Sequence, residues 1–183
     1  LSIYEDSTGN IWVGTFVGLN KIVPSIPYGD DGSVTRYSHN PGDSNSLGSN
    51  GIHLIYPEID NAFWLATFGS VDLFANGKIE RVFKKGERVR ALTKAKDGTL
   101  YIGTDRGMFV GKRSSGRFLF TKSKTVLQGV LSLSQDKLGR IWAAGSWGLA
   151  CYDPKQDIAI HFGELDGIVE PSTYGAQSIA QSK

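Results

Sequence analysis

The chain has 183 residues, of which 40% are hydrophobic, and a formal net charge of +2 at pH 7. This length suits one ordinary domain with a real hydrophobic core. The small net charge, without blocks of like charge, gives no electrostatic basis for binding nucleic acid. The single cysteine, Cys151, excludes an intrachain disulfide and a thiolate metal site. No apolar run approaches the ~18 residues that span a bilayer, so this segment is not expected to contact a membrane.

One motif recurs along the chain. Residues 6–19 read DSTGNIWVGTFVGL, and residues 136–149 read DKLGRIWAAGSWGL. Two more divergent copies lie between them, EIDNAFWLATFGSV at 58–71 and AKDGTLYIGTDRGM at 95–108. Each copy contains one aromatic anchor, and these are Trp12, Trp64, Tyr101 and Trp142, at spacings of 52, 37 and 41 residues. A period near 40 with glycines and one aromatic per unit is typical of β-propeller blades.

In chain order, the apolar stretch LSIYED predicts a first strand, and the first motif predicts the second strand and the turn after it. The polar segment HNPGDSNSLGSNG at 39–51 contains too many helix breakers for a helix and is expected to be a long loop. From Val89 onward, VRALTKA, TLYIGT, GMFVGK and GRFLFTK predict four consecutive strands with glycine turns between them.

These patterns predict an all-β chain that forms a single β-propeller segment, with four blades of four antiparallel strands and the first strand of a fifth. The expected blades are approximately 1–38, 51–86, 88–122 and 128–163, and the last strand is expected at 176–183. Because that strand repeats the kind of strand found at residues 1–6, the chain is expected to be part of a larger propeller of about seven blades. Exposed outer faces would then be covered by the remaining blades or by another copy of the chain.

The aromatic anchors are interpreted as structural. In the Ile-Trp pair of the motif, adjacent side chains point to opposite sides of the sheet, so that one faces each neighbouring blade. A buried aromatic ring removes about 150–250 Å² from water, and one such ring in each blade would hold neighbouring blades together. The acidic residues Asp6, Asp97 and Asp136 are interpreted as turn residues.

The two stronger motif copies resemble the two-component regulator propeller repeat, and HNPGDSNSLGSNGI resembles the linker that precedes such repeats. In that family, extracytoplasmic propellers form the sensor of hybrid histidine kinases, often in gut Bacteroidetes that detect glycan breakdown products. The resemblance implies a periplasmic segment that is not itself catalytic and recognises an oligosaccharide, while any kinase lies elsewhere in the parent protein. Related repeats also occur in lyases, so the repeat is more specific for the fold than for the ligand.

Residues with catalytic chemistry are few. The three histidines, His39, His53 and His161, lack metal-ligand spacing and are interpreted as structural or exposed. Asp30, Asp31 and Asp43 lie in polar loops and raise the alternative of a Ca²⁺ site, but the twelve-residue calcium-loop pattern does not appear. Solvated turn acids are the preferred interpretation, and no metal or cofactor is expected.

The loops between the second and third strands hold the candidate ligand-binding residues. Strand alternation predicts that these loops lie on one rim with the 39–50 loop. The residues expected there are Phe16, Phe68, Arg106 and Trp147, together with His39 and Asn45 from the long loop. Aromatic faces with an arginine and amide groups suit a sugar ring and its hydroxyls. The alternative is that the rings only pack over the ends of the blades.

Three hypotheses for function therefore remain. The first is a sensor segment that binds a ligand such as a glycan fragment. A propeller lyase or hydrolase is the second, and it requires histidines and carboxylates clustered on one rim. The third is a passive scaffold for protein–protein contact. The small number of histidines favours the sensor.

Overall fold

The computed structural model describes residues 2–25, 32–126 and 128–168. In these residues the regular structure is β-strand, apart from one short 3-10 turn at Glu164–Asp166. The strands form four sheets, and each sheet contains four strands that are consecutive in sequence. All pairs are antiparallel. The predicted all-β class with four-stranded antiparallel blades is therefore confirmed.

The strand bounds follow the repeat. The first sheet contains β1 (Ser2–Glu5), β2 (Ile11–Thr15), β3 (Gly18–Val23) and β4 (Ser33–Tyr37), and the second contains β5 (Ile52–Pro57), β6 (Phe63–Thr67), β7 (Ser70–Ala75) and β8 (Lys78–Lys84). The third contains β9 (Val89–Lys94), β10 (Leu100–Thr104), β11 (Gly107–Ser114) and β12 (Arg117–Lys122), and the fourth contains β13 (Ser132–Gln135), β14 (Ile141–Gly145), β15 (Gly148–Asp153) and β16 (Ile158–Phe162). The strand expected at 176–183 lies outside the described residues.

The chain divides into two compact units, Leu1–Arg88 and Val89–Lys183. The first unit holds the first and second sheets, and the second unit holds the third and fourth. Each unit has its own hydrophobic core.

Each aromatic anchor occupies the second position of the second strand in its sheet. The side chains of Trp12, Trp64 and Tyr101 are buried, and Trp142 is half-buried. The equivalence predicted from the repeat therefore appears as equivalent positions in four strands.

Three of the anchors share a hydrogen bond that ties them to the preceding turn. The indole Nε1–H of Trp12 donates to Asp6 Oδ2 at 2.8 Å, six residues earlier in the chain. The same bond joins Trp64 to Glu58 at 2.9 Å and Trp142 to Asp136 at 3.0 Å. The repeat acids thus do more than shape turns, because they also accept the one polar hydrogen of a packed ring.

The third copy of the motif lacks both partners of this bond. Ala95 occupies the acidic position, and Tyr101, which has no indole N–H, occupies the anchor position. No buried indole donor is therefore left without an acceptor in that sheet.

In the first unit, Trp12 connects the two sheets. Its ring lies 4.8 Å from the centroids of both Phe63 and Phe74 in the second sheet. Close approach is possible because Gly14, on the same face of β2, has no side chain, and a Cβ there would collide with Ile52. The aromatic anchor of the first sheet thus points towards the sheet that follows it in sequence.

In the second unit, Tyr101 has the corresponding place. It is part of a core with Ile141, Ala143 and Tyr152 of the fourth sheet, and the two tyrosine rings lie 6.3 Å apart. Here too the motif pair alternates, because Ile141 faces this core while the neighbouring Trp142 lies on the opposite face of β14.

The loop between the first and second sheets is fastened into the second sheet. Leu47 is fully buried in the core of the first unit. The buried carboxylate of Asp72 accepts the Gly48 N–H at 2.6 Å and lies 3.5 Å from Arg81 Nε. Arg81 Nη2 in turn donates to the Ser46 carbonyl at 2.9 Å. Burial raises the pKa of Asp72 despite these bonds, so the network holds a carboxylate where it is poorly solvated.

We expect Asp6→Asn to destabilise the fold by about 1–3 kcal/mol, because an amide N–H₂ would oppose the Trp12 indole N–H and leave a buried donor unpaired. Burial disfavours the carboxylate, but hydrogen bonds from Thr8, Trp12 and Asn10 outweigh it and hold the pKa of Asp6 well below its usual range. The stabilisation is therefore present above about pH 4 and is lost as the pH falls below that value.

Urea unfolding of both proteins between about pH 3 and pH 7 measures this, and the difference should shrink at the acid end. Asp97→Asn is the matched control, because Asp97 is exposed and its carboxylate accepts only the Thr99 N–H. Its effect should stay within about 0.5 kcal/mol. Equal effects of the two substitutions would contradict a special role for the indole bond.

We expect Gly48→Ala to destabilise the first unit by about 1–3 kcal/mol, because a Cβ there overlaps the buried Ser70 hydroxyl and crowds Arg81. Gly42→Ala, in the exposed part of the same loop, has only Asn40 nearby and should be close to neutral. Thermal unfolding of both variants compares them. If Gly48→Ala unfolds at the wild-type temperature, the loop is not held by the Asp72 network.

Candidate functional site

The turns after the second strands are held by hydroxyl groups. In the first and third sheets, Thr15 and Thr104 accept a turn N–H at 3.1 Å and donate to the carbonyl three residues later at 2.9 Å. Thr67 does the same in the second sheet, with bonds to the Ser70 N–H and carbonyl. Because the hydroxyl and the backbone hold the turn, the two middle residues are free to carry side chains that the fold does not require.

In the first unit, two of these middle residues form an aromatic pair. The rings of Phe16 and Phe68 stack at 6.0 Å with an interplanar angle of 18°. Phe16 is 65% exposed, and Phe68 is 37% exposed. The two turns thus lie together within this unit, and a binding role for their rings stays a prediction.

Two further groups surround Phe68. The ring of His53 stacks on it at 5.7 Å, and the Arg88 guanidinium lies 4.6 Å from its centroid. Gly51 passes directly beneath the ring, where a Cβ would collide with it. Phe68 is therefore held in place by its neighbours, and Phe16 presents the freer ring to solvent.

The long-loop candidates are placed differently. His39 bonds through Nδ1 to the Leu47 carbonyl, and its backbone N–H donates to Asn50 Oδ1 at 2.6 Å. Asn45 is exposed, and its N–H donates to Asp43 Oδ1 at 2.9 Å. These bonds close the loop on itself, and Asp43 acts as a turn acid. Asp30 and Asp31 lie outside the described residues.

In the second unit, the candidate Trp147 is fixed by the backbone. Its Nε1–H donates to the Gly129 carbonyl at 2.8 Å, and its ring packs against His161 at 5.5 Å. The fourth sheet has Gly145 where the other sheets have threonine, and a Cβ there would collide with the indole. The missing side chain is what allows Trp147 to fold back over the loop.

A cleft of about 260 Å³ opens beside this ring, lined by Thr125, Gln128, Trp147 and His161. His161 Nε2 lies 3.0 Å from the Thr125 carbonyl, which fixes the imidazole at 60° to the indole plane. The two rings form a corner, and the exposed Gln128 supplies an amide at its edge. Pockets for drug-sized ligands measure about 300–1,000 Å³, so this cleft suits a single small ring.

Arg106 lies in the corresponding turn of the third sheet, where its N–H donates to Thr104 Oγ1 at 3.1 Å. Its side chain is exposed, while the preceding Asp105 forms an ion pair with Arg90 at 2.6 Å. Phe16 and Phe68 belong to the first unit, and Arg106 and Trp147 belong to the second. That all four share one rim stays a prediction.

Within 2–25, 32–126 and 128–168, no group of three His, Cys, Asp or Glu side chains could hold a metal ion. The same residues contain no helix long and apolar enough to cross a membrane.

Sequence reasoning missed His53, Arg88, Thr125, Gln128 and His161 as neighbours of the candidate rings. The alternating patterns of β5 and β16 account for His53 and His161 as strand residues. Their ring contacts are with Phe68 and Trp147, which belong to other strands or turns, so the patterns do not mark them. A signal was available for Trp147 alone, since Gly145 breaks the threonine pattern of the other repeats.

The family model described as "Two component regulator propeller" matches residues 1–16. No curated protein sequence matches the chain. Among solved structures, the chain is similar to the extracellular domain of the hybrid two component system BT3049 from B. thetaiotaomicron, with TM-score 0.69 and 23% identity over 86% of this chain and 22% of that one. A second such domain, of BT4673 from the same organism, gives TM-score 0.71 and 20% identity over 93% of this chain and 26% of that one.

A third similar structure is virginiamycin B lyase from Staphylococcus aureus, with TM-score 0.62 and 18% identity over 88% of this chain and 54% of the lyase. The chain thus spans about a quarter of the two extracellular domains. At these identities the likeness shows the fold. Residues 1–16 therefore match the two component regulator propeller repeat, and the four sheets of the chain have the four-stranded antiparallel form of β-propeller blades.

Proposed function

We propose that this chain is a ligand-binding segment of an extracytoplasmic sensor in a two-component system, and that its ligand is a carbohydrate. The repeat match supports the two-component assignment, and the similarity to two extracellular sensor domains supports the location. The segment itself binds and does not catalyse. A ligand bound in one unit transmits its signal by changing how the blades sit against their neighbours.

The observation that carries the proposal is the cleft beside Trp147. The bond to Gly129 and the contact with His161 fix the indole before any ligand arrives, so little conformational entropy is lost on binding. An aromatic face takes the C–H face of a sugar ring, while Gln128 and Thr125 offer hydrogen-bonding groups for its hydroxyls. In the first unit, the stacked Phe16 and Phe68 rings offer a second flat apolar surface next to the Arg88 cation.

An enzyme is the second candidate, because virginiamycin B lyase shares the fold. Among the described residues that line the cleft, His161 is the one histidine and none is a carboxylate. General acid–base chemistry on a sugar normally uses a pair of carboxylates. The residues of the cleft therefore favour binding over bond cleavage.

We expect neutral tetrasaccharides that bind the chain to change its tryptophan fluorescence, and we expect Trp147→Ala to weaken binding by at least about tenfold. Gln128→Ala should weaken it less, because an exposed amide contributes less than the ring. Titration calorimetry of a panel of tetrasaccharides, followed by chromatography of the recovered sugar, measures binding and tests for cleavage together.

Phe118→Ala is the control, because it also removes an aromatic side chain that contacts a second ring, Phe120, but lies on a strand and does not line the cleft. It should bind like the wild type. Shortened products in the recovered sugar would favour the enzyme, and wild-type affinity in Trp147→Ala would leave the indole with a packing role.

We further propose that two sheet faces are interfaces with other blades or with another copy of the chain. On the first sheet, the face opposite Trp12 exposes Ile3 and Val34. The Trp142 face of the fourth sheet exposes Ile160. Exposed apolar residues clustered on a sheet face favour association.

Light scattering of the isolated 183-residue chain should therefore show concentration-dependent association. The substitutions Ile3→Lys and Val34→Lys should together shift it towards the monomer, because each places a charge on the apolar face. A wild-type chain that is monomeric at every concentration would contradict the proposal.

A further inference from the structure

A second cleft, of about 450 Å³, lies in the second unit and is lined by residues other than those of the Trp147 cleft. The register of β11 and β12 places Val110 opposite Thr121 and Lys112 opposite Leu119, all on one face of the third sheet. On this face, Val110 packs against the core that the third and fourth sheets share.

The β11–β12 hairpin lines one side of the cleft, and Tyr152 of β15 lines it as well. The chain of the fourth sheet turns back at Pro154 and Asp157, and these residues close one side of the cleft. The uncovered end of the hairpin leaves Leu119 64% exposed as an apolar floor.

Three lysines lie around this floor. Lys112, Lys122 and Lys124 are all exposed, and none of their ammonium groups forms an ion pair or a side-chain hydrogen bond within the described residues. Among the described residues that line the cleft, Asp157 is the only carboxylate, and it accepts the Tyr152 hydroxyl at 2.8 Å. Burial and the bond to Asp157 raise the pKa of Tyr152. The tyrosine hydroxyl therefore stays protonated and keeps its hydrogen bond to the Asp157 carboxylate.

We propose that this cleft is a binding site for an organic polyanion, a molecule with clustered carboxylate, sulfate or phosphate groups on a compact body. Three ammonium groups facing one carboxylate leave an excess of positive charge that no described residue neutralises. Lysine binds such groups as a mobile point charge, which suits anions spaced along a chain. The apolar floor accepts the body of the ligand, and the volume lies within the range for small-molecule sites.

The two clefts share no lining residue but are neighbours, because Thr125 of the Trp147 cleft donates its N–H to Ser123 Oγ of this one at 3.3 Å. A negatively charged saccharide and a free polyphosphate present the same chemistry to the lysines. The experiment therefore compares tetragalacturonate and tripolyphosphate as probes, with maltotetraose as the neutral control.

Titration calorimetry of the full chain should show binding of tetragalacturonate, tripolyphosphate or both. In the Trp147→Ala protein, maltotetraose should give no heat of binding at this site. Affinity should fall as NaCl is raised from about 50 to about 300 mM, because exposed charges are screened. The triple substitution K112Q, K122Q and K124Q should weaken binding by about tenfold. Whichever probe binds identifies the source of the anionic groups.

The matched control is the triple substitution K78Q, K84Q and K85Q, which removes the same charge from exposed lysines of the first unit. It should bind as the wild type does. Asp157→Asn should bind about two- to fivefold more tightly, a gain that loss of folding cannot produce. Equal weakening by both triple substitutions, or no binding of either probe by the wild type, would overturn the proposal.

Discussion

The hydrogen bond from an indole to a carboxylate six residues earlier in the chain fixes the geometry on which the sheets depend. It joins the turn before the second strand to a residue of that strand, so the turn and the packed ring cannot move separately. In the first sheet the fixed ring is Trp12, which lies between Phe63 and Phe74 of the next sheet. A polar contact within one hairpin thus determines how two sheets pack. The cost of burying the acid is offset by several donors, as the lowered pKa of Asp6 shows.

The opposite end of the second strand follows another rule. There the threonine hydroxyl and the backbone satisfy the turn, and the two middle residues need not pack. The turn before the second strand therefore stabilises the fold, whereas the middle residues of the turn after it can vary without loss of the fold. This separation explains why a large aromatic side chain such as Phe16 is tolerated in a tight turn.

The features that could be predicted from the sequence are those that recur with the repeat. Trp12, Trp64, Tyr101 and Trp142 were placed correctly because each lies at a fixed distance from its own turn. The features that could not be predicted depend on contacts between distant residues. Asp72 holds Gly48 from 24 residues away, and His161 bonds to Thr125 from 36 residues away. No local pattern marks such pairs, so the anchored loop and the ring neighbours of the candidate site emerged only from the fold.

The third sheet shows what the acid–indole bond means for a chain that grew by duplication. Loss of the acid alone would leave a buried indole N–H without an acceptor, and loss of the indole alone would leave a desolvated carboxylate without its donor. Either single change lowers the stability of the fold, so the acid and the indole are expected to change together. Ala95 and Tyr101 are such a joint replacement. A blade can therefore exchange one acid for another and keep its indole, as Glu58 and Trp64 do, whereas losing the acid altogether goes with losing the indole.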